Sequence, residues 1–315
     1  AVRAWLRAVR PRMLVLAETE FWPRMLAECR RAGIPVAVVN ARISDRSWPR
    51  YRRLALLWRR ILRGVTVALA QSELDAERLR ALGVNNVQVA GNLKFDVRVA
   101  QPAVATTLLR EHLPPRAKVL VCGSTLAREE ELLLDAVPPD AVTILAPRHP
   151  EHFEEVASLL ERRGVRWARR SVWAAAPARI DPGTVFLLDS IGELASAYSL
   201  ATAAFIGGSL VPAGGHNPLE AAQFGVPVAM GTSTENFRGI VETLRAQEAI
   251  LVMEVKELAP ALAKLLSGAP DVRAMGARGR QVFESESGAT ERSVQALIKV
   301  LRREMTHAGH VEARG

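Results

Sequence analysis

Two glycines, an imidazole, an amide, a proline and a carboxylate follow one another in Gly214-Gly215-His216-Asn217-Pro218-Leu219-Glu220, shortly after a first glycine pair at Gly207-Gly208. Glycine lets a backbone come close to a phosphate, and a helix start turns unpaired N–H groups toward an anion. Pro218 suits a first helical position, where its missing N–H costs nothing, and Glu220 then lies one turn in, facing neighbouring hydroxyls. The same spacing describes a capping-box variant, with Asn217 as the cap and Glu220 three residues on. A carboxylate paired to ribose hydroxyls and one used as a cap share this spacing, so both readings stand.

Other residues with chemical capacity sit just after apolar runs. Gly123, Ser124 and Thr125 end one run; Pro147 and Arg148 end another, and an arginine there can hold a phosphate or a base edge by paired hydrogen bonds, or lie on the surface. Ile191, Gly192 and Glu193 follow a third run, with Glu193 either capping a helix or meeting a nucleotide. Glu18 and Glu20 stand at a strand end before a helix, where acids serve the helix dipole or organise a cleft. Lys94 closes a further strand and either neutralises an anionic substrate or is solvated. His149 and His152 lack a third ligand, so no metal and no cofactor is expected.

These positions imply the elements that hold them. Four β-rich segments come first, from Met13, Ile34, Val65 and Val87, separated by helical stretches. Five more begin at Ala117, Ala141, Thr184, Ala203 and Val226. Alternation of this kind predicts an α/β fold of two doubly wound, Rossmann-like domains, residues 1–100 and 101–315, joined near Asp96 to Ala105. In such sheets a ligand lies beyond the carboxyl ends of the strands, which is where the candidates fall. A ligand-binding domain of this type has about six strands. The first domain is therefore expected to be incomplete, with strands lying upstream of Ala1.

Composition narrows the class. The chain has 315 residues, 49% hydrophobic and 24% charged, as a folded globular protein does. Its two cysteines, Cys29 and Cys122, exclude a disulfide framework and a cysteine zinc site. The net charge of +9 is uneven: residues 42–63 hold eight arginines and one acid, with Trp48, Tyr51 and Trp58 among them. That segment is either a solvated helix face or a surface for anionic lipid headgroups or phosphorylated substrates. Nucleic acid is not expected as a partner.

Taken in order, "ETEFWP", "VNARIS", "QSELDAERLRALG", "GNLKFD", "GST", "PRHPEHF", "DSIGEL", "FIGGSLVPAGGHNPLEAAQFGVPV" and "ENF" resemble the Kdo transferases, which attach 3-deoxy-D-manno-octulosonic acid (Kdo) to lipid A precursors. The resemblance implies a GT-B glycosyltransferase, two Rossmann-like domains facing a cleft, that uses CMP-Kdo and inverts the anomeric centre without a metal at the cytoplasmic face of the inner membrane. Carried over by position, CMP contacts fall on Pro147, Arg148, Ile191, Gly192, Glu193, Asn217, Pro218, Leu219 and Glu220. Gly123, Ser124 and Thr125 form a donor-side loop, and Glu18 or Glu20 with Lys94 stabilise the transition state. Two features depart from the family: its Ser-Val-Gly-Glu motif, which carries the general base, does not occur, and Leu126 follows Thr125 where histidine is expected. The competing readings are another GT-B sugar-nucleotide enzyme and a non-catalytic module that binds nucleotide or anionic lipid.

Overall fold

The computed structural model describes residues 1–99 and 101–312, the side chains of 303–312 apart, so residues 100 and 313–315 of the two expected domains lie outside it. The chain divides into two compact units, one formed by residues 1–96 with the chain from residue 286 onward, the other by Val97–Ser285. The C-terminal helix, Ala289–Glu312, thus counts with the first unit, although it follows the second in sequence.

In the first unit four parallel strands run in sequence order: β1 (Leu14–Ala17), β2 (Val36–Ala41), β3 (Val67–Ala70) and β4 (Val87–Val89). Strands buried on both faces read as continuous apolar runs, and Val36, Ala37, Val38, Val67 and Ala68 are all fully buried. One face packs Val36, Val38 and Ala68 with Leu26, Leu62 and Leu79 from the helices Pro23–Arg31, Ala55–Leu62 and Glu73–Ala81. The other packs Ala37, Val67, Leu69 and Ala90 against Val300 of the C-terminal helix.

The second unit carries seven parallel strands: β5 (Lys118–Thr125), β6 (Ala141–Pro147), β7 (Trp167–Arg169), β8 (Val185–Leu187), β9 (Ala203–Ile206), β10 (Val228–Met230) and β11 (Leu251–Val252). Their spatial order is β11-β10-β9-β5-β6-β8-β7. The chain builds outward from β5 to one side and then returns to build from β9 on the other. The order therefore reverses between β5 and β9, and the crevice beyond their carboxyl ends is where ligands bind in open α/β sheets. Strands β7 and β11, which the sequence pattern does not predict, are short outer strands whose residues are only half-buried.

Candidate functional site

At the end of β5 the backbone is shaped before any side chain acts. Register shifts between Gly123 and Thr125, and Ser124 between them has φ 56°, an unfavourable angle for a residue with a Cβ. A Cβ on Gly123 would sit 1.8 Å from the Tyr198 hydroxyl, and one on Gly207, just past β9, would sit 2.4 Å from the Ser124 carbonyl oxygen. Both glycines therefore allow close approach at the reversal point. The Thr125 carbonyl accepts the Arg148 N–H at 2.9 Å. Arg148 thereby leaves β6 from a fixed position, directly after the buried Pro147.

The glycine run that follows β9 is not an open anion cradle. The N–H groups of Gly208, Ser209 and Leu210 donate to the Glu129 carboxylate at 2.7, 2.9 and 2.8 Å, and the Leu126 N–H joins them at 3.0 Å. Glu129 is fully buried, so the protein's own carboxylate already occupies the nest. Gly214 and Gly215 likewise do not offer their N–H groups to a phosphate. The first donates to the Ser233 hydroxyl at 2.8 Å, the second to the Gly208 carbonyl at 2.7 Å. Their missing side chains make room instead, since a Cβ would meet Asn236 at 2.4 Å or the Met230 methyl at 2.8 Å. Sequence reasoning missed Glu129 because it stands in a run of three acids at a helix start, where a dipole role explains all three equally.

The expected helix at Asn217 is one turn, Leu219–Ala222, with Pro218 as its cap rather than its first residue. In place of the cap half of the expected motif, Asn217 Oδ1 accepts the Leu219 N–H two residues on at 3.1 Å, a local turn that leads into the helix without a side-chain cap. The reciprocal half is not formed: the Glu220 carboxyl turns to the Asn217 side chain and lies in the field of Arg148. Burial raises the Glu220 pKa, and Asn217 and Arg148 pull against that rise. His216, half-buried beside them, is pushed down by burial, then by Arg148 and His149, and its buried Nε2 has no hydrogen bond. Arg148, His216, Asn217 and Glu220 thus converge, and the exposed Arg148 forms no ion pair among the described residues.

The Ile191-Gly192-Glu193 loop is arranged differently. Glu193 pairs with Arg170, Oε1 to Nη2 at 2.8 Å, and also accepts from the Ser190 hydroxyl. It makes no side-chain cap to the helix Leu194–Ala197, which removes the capping option. Ile191 is 80% exposed, and Gly192, at φ 85°, has open space on its Cβ side.

In the first unit the acids of the Glu18-Thr19-Glu20 run separate. Glu18 has φ 55° and donates its N–H to the Val39 carbonyl at 2.9 Å; its charge acts on Lys94. Glu20 instead accepts the Trp22 indole N–H at 3.0 Å. Neither lies in the first turn of the helix Pro23–Arg31, so the dipole reading fails for both. Lys94 is pushed below its ordinary pKa by burial, with Glu18 opposing and Arg42 adding to the fall. Asn40, at φ 51°, steadies this corner: its Oδ1 accepts the Leu93 N–H at 3.1 Å and its carbonyl accepts Gln71 Nε2 at 3.0 Å. Asn40 and Arg42 were legible only as members of a motif.

The arginine-rich segment forms the helices Trp48–Arg53 and Ala55–Leu62. Trp48, Tyr51 and Trp58 pack inward against the core, Tyr51 and Trp58 with ring centroids 4.8 Å apart. They are thus turned to the core rather than presented outward beside the arginines. Outward instead stand Leu54, Leu56 and Leu57, at 52%, 83% and 54% exposure, among exposed arginines. Among the described residues no helix is long and apolar enough to cross a membrane, and no three His, Cys, Asp or Glu side chains gather to hold a metal.

Comparison with known proteins bears on the fold and the family. Residues 1–97 match the family model described as 3-deoxy-D-manno-octulosonic-acid transferase (kdotransferase). A 3-deoxy-D-manno-octulosonic acid transferase of Bordetella pertussis is 32% identical over 308 residues, covering 94% of this chain and 71% of that protein. The crystal structure of the C-terminal CMP-Kdo binding domain of WaaA from Acinetobacter baumannii matches with a TM-score of 0.52 at 31% identity, over 56% of this chain and 95% of that one. A UDP-N-acetylglucosamine 2-epimerase matches 98% of this chain and 75% of its own at a TM-score of 0.57 and 14% identity, a likeness of GT-B fold alone. With its two parallel sheets and strand-end residues in these positions, the chain is a GT-B glycosyltransferase that belongs to the 3-deoxy-D-manno-octulosonic acid transferase family.

Proposed function

We propose that the chain transfers Kdo from CMP-Kdo to a lipid A precursor in lipopolysaccharide biosynthesis, inverting the anomeric centre. The observation that carries this reading is the convergence of Arg148, Asn217 and Glu220 beyond β6 and β9, beside the reversal point, in a unit that resembles a CMP-Kdo binding domain. Arg148 carries a fixed charge suited to the phosphate that becomes the leaving group, and Glu220 faces ribose hydroxyls. Pro147, Ile191, Gly192, Pro218 and Leu219 shape the walls around the nucleotide, with Glu193 held ready by Arg170. Gly123, Ser124 and Thr125 bring the backbone to the donor. Charge neutralisation and orientation are the main requirements, because a nucleotide phosphate is already a fair leaving group. Glu18 and Lys94 stabilise the transition state from the first unit; Glu20, bonded to Trp22, supports the loop.

We further propose attachment to an anionic membrane surface, at the cytoplasmic face of the inner membrane, through Leu56 and Leu57 and the surrounding arginines. Calorimetry with CMP, UMP and UDP tests the donor reading. CMP is expected to bind best, and Arg148→Ala or Glu220→Ala to weaken it by about 1–3 kcal/mol. Equal affinity for all three nucleotides would reject it. Flotation with vesicles of rising anionic content tests attachment, and binding indifferent to that content would reject it.

A further inference from the structure

Two consecutive arginines at the start of the one-turn helix Arg170–Trp173 each meet a carboxylate from the loop after β8. Arg169 donates to Asp189, which also accepts the Ser171 N–H and hydroxyl at 2.9 and 2.6 Å and is almost wholly buried. That group alone fastens the segment to the end of β8. Arg170 is thereby aimed at Glu193, with Nη2 2.8 Å from Oε1 and Nε 2.7 Å from Oε2. The Ser190 hydroxyl donates to Oε2, and the Ala105 N–H, at the start of the helix Val104–His112, adds to the hold.

The fork does not seal Glu193, whose side chain keeps 13% exposure at the carboxyl end of β8, the neighbour of the strand that ends in Arg148. It does decide its chemistry. Burial alone would push this carboxyl up; Arg170 and Ser190 hold it below its ordinary pKa. At neutral pH Glu193 is therefore ionised and can only accept hydrogen bonds, whereas Glu220 is pushed the other way. An acceptor-only group in a nucleotide site selects for a donor. CMP offers two kinds, the ribose hydroxyls and the exocyclic amine of cytosine. With Glu220 on the hydroxyls, the amine is the donor left for Glu193. Uracil carries a carbonyl oxygen at the same position, which would set acceptor against acceptor.

We propose that Glu193 reads the cytosine amine and that Arg170 is the positioning residue that keeps it an acceptor, an inference that rests on the donor reading above. Arg170 touches no reacting atom and acts through Glu193 alone; Asp189, through Arg169 and Ser171, sets where Arg170 starts.

Titration of the full chain with CMP, UMP and 2′-deoxycytidine monophosphate tests this. The parent should hold CMP about tenfold more tightly than UMP. Glu193→Gln keeps the side chain's size but can turn either its oxygen or its amide nitrogen to the base, so that ratio should fall to about twofold or less. Arg170→Met leaves a largely buried carboxyl without its cation, so Glu193 takes up a proton as pH falls. Its CMP-to-UMP ratio should persist at about pH 8 and be lost near about pH 5.5, while the parent's stays flat. The phosphate titrates alike in both nucleotides and cancels. Arg170→Lys, which keeps the charge, should restore the flat profile. Loss of the 2′-hydroxyl should cost the same factor in the parent and in the variants. If Glu193→Gln instead keeps the base preference and erases the cost of the missing hydroxyl, Glu193 meets the ribose and the proposal is overturned. If it weakens CMP and UMP alike, or neither, the proposal is overturned while the donor reading stands. If the parent binds CMP and UMP equally, or binds neither, both fall.

Discussion

At the end of β9 the main chain is closed down by a fully buried carboxylate that takes up three successive N–H groups, whereas at the ends of β1 and β2 two non-glycine residues, Glu18 and Asn40, hold positive φ beside a half-buried lysine. The second unit buries its fixing charge and leaves Arg148 outside. The first places its charges, Glu18, Lys94 and Arg42, within reach of one another near the surface. Fixing by buried hydrogen bonds makes the proposed nucleotide side inseparable from the fold. Fixing by strained backbone under partly solvated charges lets the other side change with little loss of stability.

Substitutions that cost stability on one side and not on the other sharpen this contrast. Glu129→Leu should have the largest effect, a loss of about 3 kcal/mol or more in urea unfolding, because several buried N–H groups lose their acceptor at once. Gly123→Ala should cost about 2 kcal/mol, since the new methyl meets the Tyr198 hydroxyl. Tyr198→Phe in the same chain should recover part of that loss, and an additive double mutant would show that the clash lies elsewhere.

Glu220→Gln should weaken CMP about fivefold while leaving the unliganded melting temperature unchanged or raised at neutral pH. The sign follows from the raised carboxyl pKa. The folded protein holds this proton more tightly than the unfolded chain, so the group's contribution is greatest below the ordinary glutamate range and falls as pH rises through the shifted value. Calorimetry at several pH values checks both halves. In the first unit, Asp96 shows the opposite linkage: burial alone would raise its pKa, but hydrogen bonds from Thr290, Gly288 and Ala289 hold it low. Its contribution is present above about pH 4 and lost as pH falls further, so Asp96→Ala should cost about 1 kcal/mol at neutral pH and progressively less in acid, the value kept small by solvent around the carboxylate. Lys94→Met should change stability least, by within about 0.5 kcal/mol, leave CMP binding intact and abolish transfer. A large stability loss there would end the comparison between the two units.

What the sequence made legible follows the same contrast. Apolar runs such as Val36–Ala41 announced their strands because burial on both faces demands uninterrupted hydrophobic residues. β7 and β11 carried no such signal, being short and half-buried. Arg148, Glu220 and Lys94 could be singled out as candidates because the regions after strand ends are where ligands bind in this architecture. Glu129 and Tyr198 could not. Their partners lie about eighty residues away in one case and across a strand end in the other, and neither periodicity nor a local motif encodes a contact of that range. Glycine roles were the hardest to read, since a glycine that approaches a ligand and one that clears room for Asn236 look alike in a sequence.

The C-terminal helix has a temporal consequence. Asp96 bonds Gly288 across a separation of 192 residues, Arg292 reaches the Ala90 carbonyl at 2.8 Å, and Val300 covers Leu69 and Ala90. A chain emerging from the ribosome therefore makes the first sheet early but cannot cover that face until the whole second unit has followed it. The slow step is expected to be this long-range closure, and the uncovered face of β3 and β4 is the surface a chaperone would meet while synthesis is under way.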